Sequence, residues 1–234
     1  MSEAQEWMNL HSTFSEVDLV DCMGSDKTVV NSARVSYAND VVDELCVNTT
    51  PILNDKDKKL IQYLADNKHM TPFNHCFVSF KCKAPIFVAR QLVKHEYLVW
   101  NEISRRYTDK DLMVFRVHAW GEQSKNNKQG TDKPLKENIQ YMCTEAYENA
   151  MYTAYNCYNF LLRTGVSKED ARMVLPQSTM TEWYWSGSLG AFAKMCRLRI
   201  DEHAQHYTRY LAESVSFFMK EKFPVSWEAL MGID

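Results

Sequence analysis

The stretch from Arg90 to Tyr107, R-Q-L-V-K-H-E-Y-L-V-W-N-E-I-S-R-R-Y, gathers Arg90, Lys94, Arg105 and Arg106 with Glu96, Glu102, His95 and Ser104. Cations and a hydroxyl grouped where a helix gives way to a loop suit a nucleotide phosphate, because guanidinium forks and hydroxyls both donate to its oxygens. The same text also fits a plainer arrangement: an amphipathic helix whose charged side faces water beside Leu92, Val93, Leu98, Val99 and Trp100, with a loop after it. Two smaller groupings lie further on. His203 and His206 stand three apart behind Glu202, the spacing of two metal ligands on one helix face, but no third ligand follows at a suitable distance. Cys196 precedes Arg199 by one helical turn, which suits either an activated thiol or a buried helix cysteine.

The elements that must position these groups follow from periodicity and punctuation. A chain of 234 residues with 45% apolar residues is long enough for one domain with a sizeable core. A net charge of -3 gives no global basic excess for nucleic acid, so the cations that matter are local. Seven cysteines without a C-x-x-C pair read as reduced thiols, and the acidic start without an apolar run reads as cytoplasmic. Residues 1 to 16 are expected to be irregular. Val17 to Met23 alternates and stops at Gly24, a short strand, and Ser25 or Asp26 then caps a helix through Val29, Val30 and Ala33. A linker is expected over 38 to 53 and a helix over 55 to 67. Cys76 to Cys82 alternates as a half-buried strand, and Pro85 opens the next helix. Leu112 to Val117 suggests another strand, and 121 to 134 reads as a polar, turn-rich, mobile loop. Leu135 to Leu162 is a long helical pattern with a tyrosine stripe suited to packing, stopped at Gly165, and Ser167 with Asp170 caps a helix carrying Arg172. Thr179 to Trp185 is a strand, Gly187 to Arg199 a helix, 201 to 222 the last long helix, and 223 to 227 a docked tail.

The chain resembles the flavin-dependent thymidylate synthases. That family carries R-H-R, seven residues and a Ser, within a pattern ending N-E-x-S-x-R-Y. Here Lys94-His95-Glu96 is followed seven residues later by Ser104, and Asn101-Glu102-Ile103-Ser104-Arg105-Arg106-Tyr107 matches the second half. Four further blocks recur in order. They are Ala33-Arg34-Val35-Ser36, His69-Met70-Thr71-Pro72-Phe73-Asn74-His75, Ala171-Arg172-Met173-Val174-Leu175-Pro176, and Leu198-Arg199 with a following His203-Ala204-Gln205. The Ala84 to Gln91 segment also reads close to the family's text. The resemblance runs from about Val17 to Trp227. It implies an α+β fold, with a small mostly antiparallel sheet flanked by helices and a helical second half, assembled as a homotetramer with active sites at subunit junctions. It implies C5 methylation of dUMP to dTMP with methylene-tetrahydrofolate, FAD and NADPH. Nucleotide binding falls to Gln91, Glu102, Ser104, Arg105, Arg106, Arg172, Leu198 and Arg199, with Arg105 acting through its backbone. Flavin and folate contacts fall to Ser36, His69, Thr71, Lys94, His95 and Glu96, while His75 is expected to be structural. Arg199, Ser104 and His69 are the expected catalytic residues. An arginine on the pyrimidine oxygens favours the enolate-like base that C5 chemistry needs.

The nucleotide half of the pattern is retained and the flavin half is altered. Lys94 and Glu96 replace the two arginines of R-H-R, and Ser188, Gly190 and Lys194 stand where the family shows Asn, Arg and Asn. Two alternatives follow. One is flavin-independent, folate-dependent hydroxymethylation of a pyrimidine deoxynucleotide, dUMP before dCMP. The other is a non-catalytic nucleotide-binding homologue.

Overall fold

The computed structural model describes residues 11–12, 15–37, 53–128 and 130–232. After the two-residue strand β1 (His11–Ser12) comes β2 (Glu16–Met23), ended by Gly24 at φ +91°, a conformation that glycine adopts freely. Helix α1 (Asp26–Arg34) starts at Ser25, which forms a capping box with Thr28, and passes into a 3-10 turn over Val35–Tyr37. Helix α2 (Asp55–Asp66) is capped by Asn54, whose side chain accepts from the Asp57 backbone N–H. A 3-10 turn over Pro72–His75 leads to β3 (Phe77–Pro85) and α3 (Ile86–Leu92). The chain continues through β4 (Leu98–Glu102), β5 (Val114–Phe115), β6 (Gly121–Gln123) and β7 (Thr131–Pro134) to α4 (Glu137–Arg163). Short helix α5 (Lys168–Ala171) runs into a 3-10 turn over Arg172–Val174, and β8 (Met180–Ser188), α6 (Leu189–Ile200), α7 (His206–Lys222) and α8 (Pro224–Met231) complete the chain.

Strands β2, β3, β8 and β4 form an antiparallel sheet in that order, registered at Leu19↔Phe80, Phe80↔Trp185 and Trp100↔Trp185. The period-2 alternation puts Val78, Phe80, Cys82, Trp183 and Trp185 on one face. There they meet Leu92, Phe192, Met195, Leu211, Val215 and Met219 of the helices. Trp100 stacks on Trp183 with centroids 4.4 Å apart. The buried carboxylate of Asp26 accepts from the backbone N–H groups of Val225 (3.0 Å) and Ser226 (2.8 Å), docking the start of α8 on α1. Buried Asp57 binds Arg34 at 2.6 Å and Lys27 at 3.3 Å, tying α2 to α1. No helix among the described residues is long and apolar enough to cross a membrane.

The α+β architecture expected from the sequence is present, with local corrections. The text from Arg90 to Tyr107 is not a helix and a loop: the helix stops at Leu92 and a strand, β4, pairs with β8. Residues 121 to 134 are not a structureless loop but a β6–β7 hairpin, registered at Gly121↔Pro134 and Gln123↔Thr131. Gln140 closes its base through Trp120 N (2.7 Å) and Trp120 O (2.6 Å). His11–Ser12 forms a parallel pair with β5 inside the segment expected to be irregular, and Glu16 already belongs to β2. The last long helix begins at His206, not Asp201. The tail expected over 223 to 227 is the start of a helix. Tyr158 is the residue that α4 buries, and Tyr141 of the tyrosine stripe is 70% exposed. The linker expected over 38 to 53 lies, except for Leu53, outside the described residues.

Candidate active site

Arg199 sits near the C-terminal end of α6. Ser188 caps that helix by accepting from Ala191 N at 3.2 Å, and Leu189, Phe192, Met195 and Cys196 bury one side of it. The guanidinium is therefore delivered to the rim of the core, where its Nε donates to His95 Nε2 (2.9 Å) and its Nη2 to the Gln91 carbonyl (3.1 Å). Burial, helped by the cations of Arg199 and Lys194, holds the His95 pKa down at about 4. A neutral imidazole that accepts at Nε2 carries its proton on Nδ1. The Gln91 side chain is fixed in turn by Gln205. Gln91, Lys94 and Arg199 line a polar cavity of about 790 Å³ with His203, Arg209 and Asn126 of the β6–β7 hairpin.

A second cavity, of about 380 Å³, opens where β4 ends. Glu102, Ser104, Arg105 and Arg172 line it together with apolar Ile86 and Leu175. Glu102 is oriented from both sides: its Oε1 accepts from Thr181 Oγ1 (2.6 Å) and its Oε2 from Trp100 Nε1 (3.0 Å). Ser104 Oγ accepts from Arg106 N at 3.3 Å. Glu169 joins the two arginines, pairing with Arg106 at 3.2 Å and receiving Arg172 Nε on its carbonyl at 3.1 Å. Arg105 turns its guanidinium onto the Lys110 and Asp111 carbonyls at 2.6 and 3.3 Å. It thereby clamps the loop in which Asp111 holds a φ of +50°.

A third cavity, of about 900 Å³, is lined by apolar Met70, Ala191 and Leu198 and by the cations Lys68, Lys194 and Arg197, the last donating its Nη1 to the Leu230 carbonyl at 2.9 Å. Asn74, Ser188, Gly190 and Tyr97 complete it. Each altered position of the flavin segment has a partner here. Ser188 Oγ meets Asn74 Oδ1 at 2.8 Å. A Cβ on Gly190 would lie 2.6 Å from Asn74 Oδ1 and 3.0 Å from Met70 Cε. Lys194 pairs with Glu96 at 3.4 Å.

The sequence-selected residues thus fall into groups. Gln91, Lys94, His95 and Arg199 come together; so do Glu102, Ser104, Arg105 and Arg172, with Arg106 beside them. Leu198, Glu96 and Lys194 belong to the third cavity and its edge. His69 stacks on Tyr63 at 6.1 Å, Thr71 opens the 3-10 turn, and exposed Ser36 follows α1; these three line none of the three cavities. His75 is exposed and lines a further cavity with Ser32 and Val35. Lys68, Tyr97, Arg197, Arg209, Thr181 and Glu169 escaped sequence reasoning. Of these Glu169 alone left a signal, one residue before the Asp170 of the capping pair. His203 and His206 do not share a helix, and among the described residues no group of three His, Cys, Asp or Glu could hold a metal. Cys196 is fully buried, its Sγ on the Ala212 carbonyl at 3.5 Å, and burial raises its pKa, so it is the inert alternative of the two.

The family model described as thymidylate synthase complementing protein matches residues 18–225. The chain belongs to this family. Among its relatives is the flavin-dependent thymidylate synthase of Thermosipho africanus, 37% identical over 217 residues, covering 91% of this chain and 89% of that one. That of Ehrlichia ruminantium is 37% identical over 218 residues, covering 92% of this chain and 70% of its own length. A similar solved structure is the UMP/dUMP methylase PolB from Streptomyces cacaoi bound with 5-Br dUMP. Its TM-score is 0.85 at 28% identity, covering 95% of this chain and 97% of that one.

Proposed function

We propose that this protein is a thymidylate synthase that transfers the one-carbon unit of methylene-tetrahydrofolate to C5 of dUMP, using a flavin (FAD) and NADPH as reductant. The observation that carries this reading is the fixed guanidinium of Arg199, braced by His95 and the Gln91 carbonyl, in a chain that also holds the Glu102–Ser104–Arg172 cavity. Arg199 faces the pyrimidine oxygens and stabilises the negative charge that develops there as C5 becomes nucleophilic. Because His95 is an acceptor, the arginine needs no reorganisation when substrate arrives. Ser104, Arg106 and Arg172 receive the nucleotide phosphate. Glu102, held by Thr181 and Trp100, accepts from the sugar hydroxyl.

The third cavity fits a group that is flat and apolar at one end and anionic at the other, as a flavin dinucleotide is. Met70, Ala191 and Leu198 would underlie its ring, and Lys68, Lys194 and Arg197 would meet its phosphates. The flavin supplies the hydride that completes the methyl group. Within one chain these cavities are separate and Ser36, His69 and Thr71 stand outside them, which supports a homotetramer whose sites close at subunit junctions.

The filled-in flavin segment, with Glu96 on Lys194 and Asn74 against Gly190, is the observation that favours folate-dependent hydroxymethylation as a second reading. Incubating the protein with C5-tritiated dUMP, methylene-tetrahydrofolate, FAD and NADPH decides. Tritium release with dTMP as product is expected. Release with 5-hydroxymethyl-dUMP as product selects the second reading, and no release with dUMP bound overturns both.

A further inference from the structure

Three non-glycine residues among those described have a positive φ: Lys68 (57°), Tyr97 (63°) and Asp111 (50°). Aspartate tolerates this region through its short polar side chain; a tyrosine does not, and its presence there is a local strain. Two of the three, Lys68 and Tyr97, line the same 900 Å³ cavity. Tyr97 is 82% exposed, and its phenol makes no hydrogen bond or ring contact with any described residue. Folding gives this side chain nothing in return for its backbone.

Strain of this kind persists where neighbours over-determine the backbone. Both sides of the turn are pinned. Before Tyr97, His95 N donates to the Leu92 carbonyl at 3.1 Å, the His95 ring receives Arg199 at 2.9 Å, and Glu96 holds Lys194 at 3.4 Å. After it, Leu98 pairs with Gly187 in the sheet, and a Cβ at Gly187 would lie 3.0 Å from the Tyr97 carbonyl. The exposed Glu96–Lys194 pair bridges this turn and α6. Beside it stands one free aromatic ring, at a cavity lined by apolar and cationic residues.

We propose that Tyr97 is a further cofactor-binding residue, whose ring is held at this cavity as a stacking face for a planar heteroaromatic ring of the flavin dinucleotide. The inference rests on the flavin reading above and adds a recognition element to it. Aromatic rings and heteroaromatic bases gain from offset stacking, and removing such a platform costs about tenfold or more in affinity.

The test is a binding titration with FAD and with FMN on the wild type and on Y97F, Y97A and Y97G, each checked for thermal midpoint and oligomer mass. Y97F is expected to bind FAD within about twofold of wild type, since its ring is kept. Y97A and Y97G are expected to lose about tenfold or more. Y97G should keep its fold, because glycine adopts a φ of +63° without strain. Loss towards both FAD and FMN assigns the isoalloxazine; loss towards FAD alone assigns the adenine. Wild-type FAD binding with unchanged affinity in Y97A overturns this inference and leaves the flavin reading standing. Loss of oligomer mass in Y97A makes Tyr97 an interface residue and also overturns it. A wild type that takes up neither flavin removes the flavin reading and this inference with it.

Discussion

Arg199 is held in place before any substrate arrives, and its partners set how it fails. With Arg199 on the pyrimidine, as proposed, R199A should lower tritium release from C5-labelled dUMP by about 10²–10³, the usual cost of losing one preorganised donor. R199K keeps the charge but cannot reach His95 Nε2 and the Gln91 carbonyl as a fork, and should recover only a small part of that loss. His95 gives a pH dependence whose sign is fixed by its depressed pKa. Its ordinary value is 6.5 and its folded value about 4, so the unfolded chain binds the extra proton first as pH falls. The contribution of His95 to stability is complete above about pH 6.5 and is lost between there and pH 4. Thermal midpoints of wild type should therefore fall more steeply over that window than those of H95Q. Cys196 yields a simple chemical check: buried and raised in pKa, it should resist alkylation in the folded protein and react once the chain is unfolded.

At the scale of elements, β4 decides the geometry of both arginine groups. It turns Glu102 and Ser104 towards the 380 Å³ cavity, while the turn before it hands His95 to Arg199. Arg105 belongs to this level too. Its guanidinium clamps the loop at Lys110 and Asp111, and Lys168 ties Asp109 of the same loop to α5 at 2.9 Å. R105A should therefore loosen the cavity proposed for the phosphate, raising KM for dUMP severalfold with little change in kcat, read from steady-state tritium release. Gly190 is approached by the ends of two flexible side chains, Asn74 Oδ1 and Met70 Cε. In G190A the Asn74 side chain gives up Ser188 and swings aside while alanine gains helix propensity in α6, so stability should change by less than about 1 kcal/mol, read as a small shift of the thermal midpoint.

At the scale of the molecule, the long helix α4 leaves large apolar side chains in water. Tyr141 is 70% exposed, Met142 62% and Phe160 59%. A helix of 27 residues with one buried side chain is short of partners. Light scattering should give a mass four times that of the chain. A paired M142D/F160D variant should lower that mass and lose tritium release with it, if sites close between subunits.

The family and the order of most elements were legible in the sequence, because capping residues, alternation and motif spacing are local and survive without the fold; that the nucleotide residues divide between two cavities was not. Ser25, Gly165 and Ser167 punctuate helices wherever they fold, and Cys76 to Cys82 alternates whatever it packs against. What the sequence could not determine was long-range. Leu98 to Glu102 follows a helix in a charged stretch, and pairing with β8 makes it a strand. The 121 to 134 hairpin depends on Gln140, a residue outside it. Glu96 and Lys194 look like two unrelated losses of cofactor contacts until the tertiary structure sets them 3.4 Å apart. Charge signs are written in the sequence; which charges meet is decided by the packing of α6 against the turn before β4.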